Sequence, residues 1–111
     1  DLMFLSPFTP TSDDETIVKF VTDFEAAYGG TPNQFAADAY DGVYAIKAAM
    51  EKAEVTPDMS ASDICEAMKT AMTEITIDGV TAKGLTWEAS GEPSKEPMVV
   101  KIANGDYAVV E

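Results

Sequence analysis

Strand-forming sequence occurs at the two ends of this chain and hardly between them. That scarcity limits the folds open to it more than any other feature. Asp1-Leu2-Met3-Phe4-Leu5 is an apolar run without alternation, the pattern of a strand buried on both faces. At the far end, residues 98–103 and 107–110 flank Asn104-Gly105. That pair predicts a hairpin, because both central positions of a type I′ turn favour φ > 0. In between, only residues 73–83, turning at Asp78-Gly79, and a short extended piece at 84–87 carry a β pattern. Residues 89–97 read as a loop. The order β, α, α, α, β-hairpin predicts an α/β or α+β chain with too few strands to close a sheet. A sheet edge and one side of the second helix then need further protein to cover them. A start in mid-strand points to a piece of something larger.

The helices are well marked. Ser12-Asp13-Asp14-Glu15 has the form of a capping box, and its acids suit the helix dipole. Ile17, Phe20, Val21, Phe24 and Tyr28 follow at three- and four-residue spacing, and Gly29-Gly30 with Pro32 ends the helix. The second helix starts near Asn33 or Gln34 and runs to about Ala53. Phe35, Ala39, Tyr40, Val43, Ile46 and Met50 form its predicted inward stripe, widened by Ala36, Ala37, Ala45, Ala48 and Ala49. A third helix, capped by Ser60 or Ser62, turns Ile64, Ala67, Met68 and Ala71 inward and ends near Met72.

Composition removes most chemistry. The 111 residues include seven lysines, no arginine, no histidine and twenty acids, a formal charge of −13. Such a chain repels phosphate backbones, which argues against nucleic-acid binding, and anionic membranes too. Without histidine the commonest general base and metal ligand are missing. The single cysteine, Cys65, can form neither an internal disulfide nor a cysteine-rich zinc site, and its helical setting predicts a small buried hydrophobe. No phosphate-binding loop, dinucleotide fingerprint or calcium loop occurs. The abundant carboxylates leave calcium or acid/base chemistry formally open, but the composition predicts an acidic soluble domain, not an enzyme, and no metal or cofactor is expected.

Three stretches carry a resemblance. They are Gly30-Thr31-Pro32-Asn33-Gln34-Phe35-Ala36-Ala37-Asp38-Ala39-Tyr40-Asp41-Gly42-Val43-Tyr44-Ala45-Ile46, then Gly79-Val80-Thr81-Ala82-Lys83-Gly84-Leu85-Thr86-Trp87-Glu88-Ala89-Ser90-Gly91-Glu92-Pro93, then Val99-Val100-Lys101-Ile102-Ala103-Asn104-Gly105-Asp106-Tyr107. In this order and spacing the chain resembles the C-terminal third of branched-chain amino-acid-binding proteins, the type I solute-binding proteins that feed ABC importers. Leu2-Met3-Phe4-Leu5-Ser6-Pro7-Phe8 resembles the strand and hinge approach before that region's first helix.

The resemblance implies an α/β fragment of a two-lobe type I periplasmic-binding-protein fold: a buried N-terminal strand, three helices and a C-terminal β-hairpin. Residues 1–97 would contribute to the first lobe, and residues 98–111 would form the hairpin near the hinge or second lobe. The implied function is extracytoplasmic capture of a branched-chain-like amino acid by lobe closure, as a periplasmic protein or cell-surface lipoprotein, with delivery to an ABC permease. The alternative is the ligand-sensing domain of a receptor or regulator with the same fold. Three residues are carried over as candidate ligand contacts. Phe35 would line the side-chain pocket, or else join the core as the first residue of its stripe. Asp38 could meet a ligand ammonium, or be solvated, or cap its helix. Ser6 could offer a hydroxyl to the cleft. Tyr40, Tyr44 and Trp87 are expected to be packing residues. An incomplete lobe with open edges would also self-associate.

Overall fold

The computed structural model describes residues 2–110. Its elements are β1 (Met3–Ser6), α1 (Glu15–Tyr28), α2 (Gln34–Lys52), α3 (Ala61–Met72), β2 (Met98–Ala103) and β3 (Asp106–Val109). The strands form one antiparallel sheet in the order β1-β2-β3. Met3 faces Lys101 and Ser6 faces Met98 across the first pair, while Ile102 faces Tyr107 across the second. The hairpin turns at Asn104 and Gly105, both at positive φ, as an Asn-Gly pair favours.

β1 differs from its expected environment. It is an edge strand rather than a strand covered on both faces, and Leu5 is 65% exposed. Met3 and Leu5, two residues apart, project from the same face of the sheet, and that face is uncovered. The stretch 73–83 is not a regular strand either. It crosses residues 84–87 through a single bridge, Ile77 to Leu85, and Trp87 bridges to Pro93.

The α1 cap is shifted by two residues from the expected box. Asp14 caps, its carboxylate accepting from the backbone N–H groups of Thr16 at 2.9 Å and Ile17 at 3.2 Å. Ser12 instead accepts from the Asp14 N–H, so the capping box does not form. The Ile17 N–H, with the nearby Lys83 ammonium, holds the Asp14 carboxyl below its ordinary value. Gly29 ends α1 in the left-handed region, its N–H returning to the Glu25 carbonyl. Asn33 and Ser60 cap α2 and α3.

α2 is rotated relative to the stripe read from the sequence. Its buried positions are Ala37, Asp41, Ala45 and Ala49, a four-residue repeat of small side chains. Phe35, Tyr40, Val43, Ile46 and Met50 are exposed. The physical reason is approach distance, since the small face lets α2 settle closely on its neighbours. Ala45 and Ala49 pack with Ala71 of α3 and with Ile75 in one core cluster. Ala37 joins Phe8, Ile17, Phe20 and Val80 in the other. Cys65, expected in the core, lies exposed on α3.

Candidate functional site

A cleft of about 290 Å³ opens where three parts of the chain meet. The sheet supplies Phe4 and Tyr107. The segment after β1 supplies Ser6, Phe8 and Pro10. The approach to α2 and its first turn supply Thr31, Pro32, Asn33, Gln34 and Phe35. Among the described residues no charged side chain lines it, although the chain carries seven lysines and twenty acids.

Ser6 is buried and fixes the junction. Its hydroxyl oxygen lies 2.7 Å from the Phe8 carbonyl and 3.1 Å from Gln34 Oε1, and it accepts from the Phe8 N–H at 3.2 Å. One hydroxyl proton serves one of those two acceptors at a time. Ser6 therefore closes the turn leaving β1 and ties it to the start of α2. Phe8 turns into the core and meets Phe20 edge to face, with ring centroids 5.9 Å apart. Phe35, one residue beyond Gln34, is 73% exposed at the mouth. Tyr107 meets Phe4 edge to face at 5.8 Å.

Of the three candidates, Ser6 and Phe35 share this cleft, whereas Asp38 does not line it. The Asp38 carboxylate pairs instead with Lys95 Nζ at 2.6 Å, joining α2 to the loop that precedes β2. Gln34 and Tyr107 were not singled out from the sequence. Tyr107 has a weak signal there: once the Asn-Gly turn fixes the β2–β3 register, it sits on a definite face of the sheet.

A second arrangement supports the cleft from behind. Asp41, buried in the middle of α2, accepts from the Val80 N–H at 2.8 Å, the Thr81 N–H at 2.9 Å and the Thr81 hydroxyl at 2.5 Å. It holds Val80 against Phe8 and Ala37 in the core beneath the cleft. A Cβ at Gly79 would collide with this carboxylate. On the outer side of α2, a hydrogen bond with the Tyr44 hydroxyl pushes the Tyr40 phenol up to about 12. Among the described residues no group of three or more potential metal ligands converges. Among the described residues no helix is long and apolar enough to cross a membrane.

Residues 1–106 match a family model described as periplasmic binding protein. The chain belongs to that family. No curated protein matches it in sequence. Among solved structures, a putative branched-chain amino acid ABC transporter protein from Rhodospirillum rubrum is similar, with 26% identity and a TM-score of 0.71, over 97% of this chain and 30% of that one. An ABC transporter substrate-binding protein from Desulfitobacterium hafniense in complex with Leu has 22% identity and a TM-score of 0.78, over 98% of this chain and 31% of that one. A solute-binding protein of an ABC transporter from R. palustris in complex with benzoate has 17% identity and a TM-score of 0.79, over 98% and 29%. The chain thus spans about three-tenths of the length of these periplasmic binding proteins, and its α/β architecture is a partial type I fold of the same family.

Proposed function

We propose that this chain is part of an extracytoplasmic solute-binding protein that captures a small solute by lobe closure and delivers it to an ABC permease. The solute we favour is an amino acid with an apolar, branched-chain-like side chain. One observation carries the reading: an uncharged, aromatic-lined cleft at the start of a helix, in a family member with abundant surface charge. Aromatic walls give a hydrocarbon group contact area without polar demands. Relatives in complex with Leu and with benzoate support a solute that has an apolar body. On this reading residues 1–97 belong to the first lobe, and residues 98–111 form the hairpin near the hinge or second lobe. Phe35 is the apolar wall and Ser6 the nearest hydroxyl. Asp38 lies outside the cleft lining, its Oδ1 paired with Lys95.

Titrating the isotope-labelled chain with L-leucine, followed by NMR, tests this. Amide shifts should cluster at residues 4–10, 31–36 and 107, saturating in the millimolar range because a single wall leaves most ligand surface uncovered. Shifts confined elsewhere, or none at all, would sink the reading.

We also expect the chain alone to self-associate. β1 has an unpaired edge and exposes Met3 and Leu5 on one face, and α2 exposes Val43, Tyr44 and Ile46. Light scattering over a concentration series should show a rising mean mass. A constant monomer mass argues against that surface pairing with another copy.

A further inference from the structure

The aromatic lining of the cleft comes from three distant parts of the chain: Phe4 on β1, Phe35 on the first turn of α2, and Tyr107 on β3. Phe35 is largely exposed and Tyr107 is 45% exposed, so neither ring is used up in the core. Tyr107 is nevertheless held in place. Its backbone pairs opposite Ile102, and its carbonyl accepts from the Thr11 hydroxyl at 2.9 Å. Its ring stands at 77° to Phe4, in edge-to-face contact. The polar lining oxygens, by contrast, are already engaged: Ser6 Oγ with Gln34 Oε1, Thr31 Oγ1 with Glu25 Oε1, and Asn33 Oδ1 with the Ala36 N–H. The exposed rings of Phe35 and Tyr107 form the apolar contact surface of the cleft. Ring–ring contact is geometry-dependent and exceeds the value of the buried area alone, whereas an aliphatic group gains only the area.

We propose that Tyr107 is a specificity-determining residue of the cleft, whose ring, braced by Phe4, selects a solute bearing an aryl side chain over an aliphatic one of the same size. This rests on the solute-binding reading above and puts an aryl group in place of its branched-chain-like side chain. Tyr107 reaches the site from the hairpin, so the hairpin takes part in recognition as well as completing the sheet.

The test compares L-phenylalanine with L-cyclohexylalanine, which share a backbone and differ in whether the ring is aromatic. Both are titrated into the labelled chain and followed through the cleft resonances. Phenylalanine should bind about two- to tenfold more tightly, with nuclear Overhauser contacts from its ring to the Tyr107 ring. Tyr107→Leu should abolish that preference with little change for cyclohexylalanine, and Tyr107→Phe should keep it. Equal affinities in the unsubstituted chain, or a preference that survives Tyr107→Leu, overturn the proposal and leave the solute-binding reading intact. If neither amino acid perturbs the cleft, the solute-binding reading fails and this proposal with it. Should Tyr107→Leu not fold, the ring-to-ring contacts in the unsubstituted chain decide: their presence supports the assignment, and their absence with bound phenylalanine refutes it.

Discussion

Replacing Asp41 by Ala should lower the stability of this chain by about 3–5 kcal/mol. At this chain length that is a fall in Tm of more than about 12 °C. The expectation follows from what the carboxylate leaves behind. Two backbone N–H groups, of Val80 and Thr81, and the Thr81 hydroxyl all donate to it inside the protein. Truncation strands three donors where water does not easily reach, and each unsatisfied donor carries a desolvation penalty of about 1–3 kcal/mol. Asp41→Asn keeps the shape but turns an amide NH₂ toward a donor, so a loss of about 2 kcal/mol is expected. Gly79 gives a second handle on the same contact. A methyl group there would displace the carboxylate, and Gly79→Ala should cost about 1–3 kcal/mol by overpacking. The two substitutions should not add. With Ala at position 41 the three atoms nearest the methyl at position 79 are gone, so the double variant should be more stable than the sum predicts by about 1 kcal/mol or more. Chemical denaturation of the four proteins completes the cycle, and strict additivity would show that Gly79 is not retained for the carboxylate's sake. Because Val80 packs beside Phe8 and Ala37, the same losses should loosen the floor of the cleft.

That contact also marks where sequence reasoning stops. Features encoded within a few residues were legible. Asn104-Gly105 gave the hairpin, Gly29 the end of α1, and Asn33 and Ser60 the caps of α2 and α3. Each is set by local backbone conformation and a nearby side chain, so its signal lies in the local sequence. Asp41 and Gly79 are separated by the whole of α3, and nothing local announces their meeting. An aspartate on a helix reads as a solvated residue until its distant donors are known. The cleft divides in the same way. Phe35 and Ser6 were named through a family resemblance and do share one cleft, but Asp38, a turn farther along α2, is turned to Lys95. Tyr107 became part of the cleft only through the pairing of three strands, and a register is not set by composition.

The rotation of α2 gives the second large expectation. Large apolar residues at positions 35, 40, 43, 46 and 50 make the stronger hydrophobic stripe, yet the face that packs is Ala37, Asp41, Ala45 and Ala49. If that is so, position 49 has no room. Ala49 is fully buried against Ala45, Ala71 and Ile75. Ala49→Leu should therefore destabilise by about 1–3 kcal/mol despite adding hydrophobic surface, because the extra carbons force α2 and α3 apart. Val43→Ala, on the open face, should change stability by no more than about 0.5 kcal/mol. The stripe read from the sequence predicts the reverse order: Val43→Ala would remove core packing, and Ala49→Leu would be tolerated at its margin. Urea unfolding of the two variants separates these outcomes, and a larger loss at Val43 than at Ala49 would restore the sequence-based orientation. The open face bears on function as well. A helix that packs by its smallest residues keeps its largest ones available for another surface. In this family member the first turn of that helix presents Phe35 to the cleft, while Val43 and Ile46 farther along it face away from the core. Close packing through alanines thus holds the helix, and with it Phe35, in a fixed position at the mouth of the cleft.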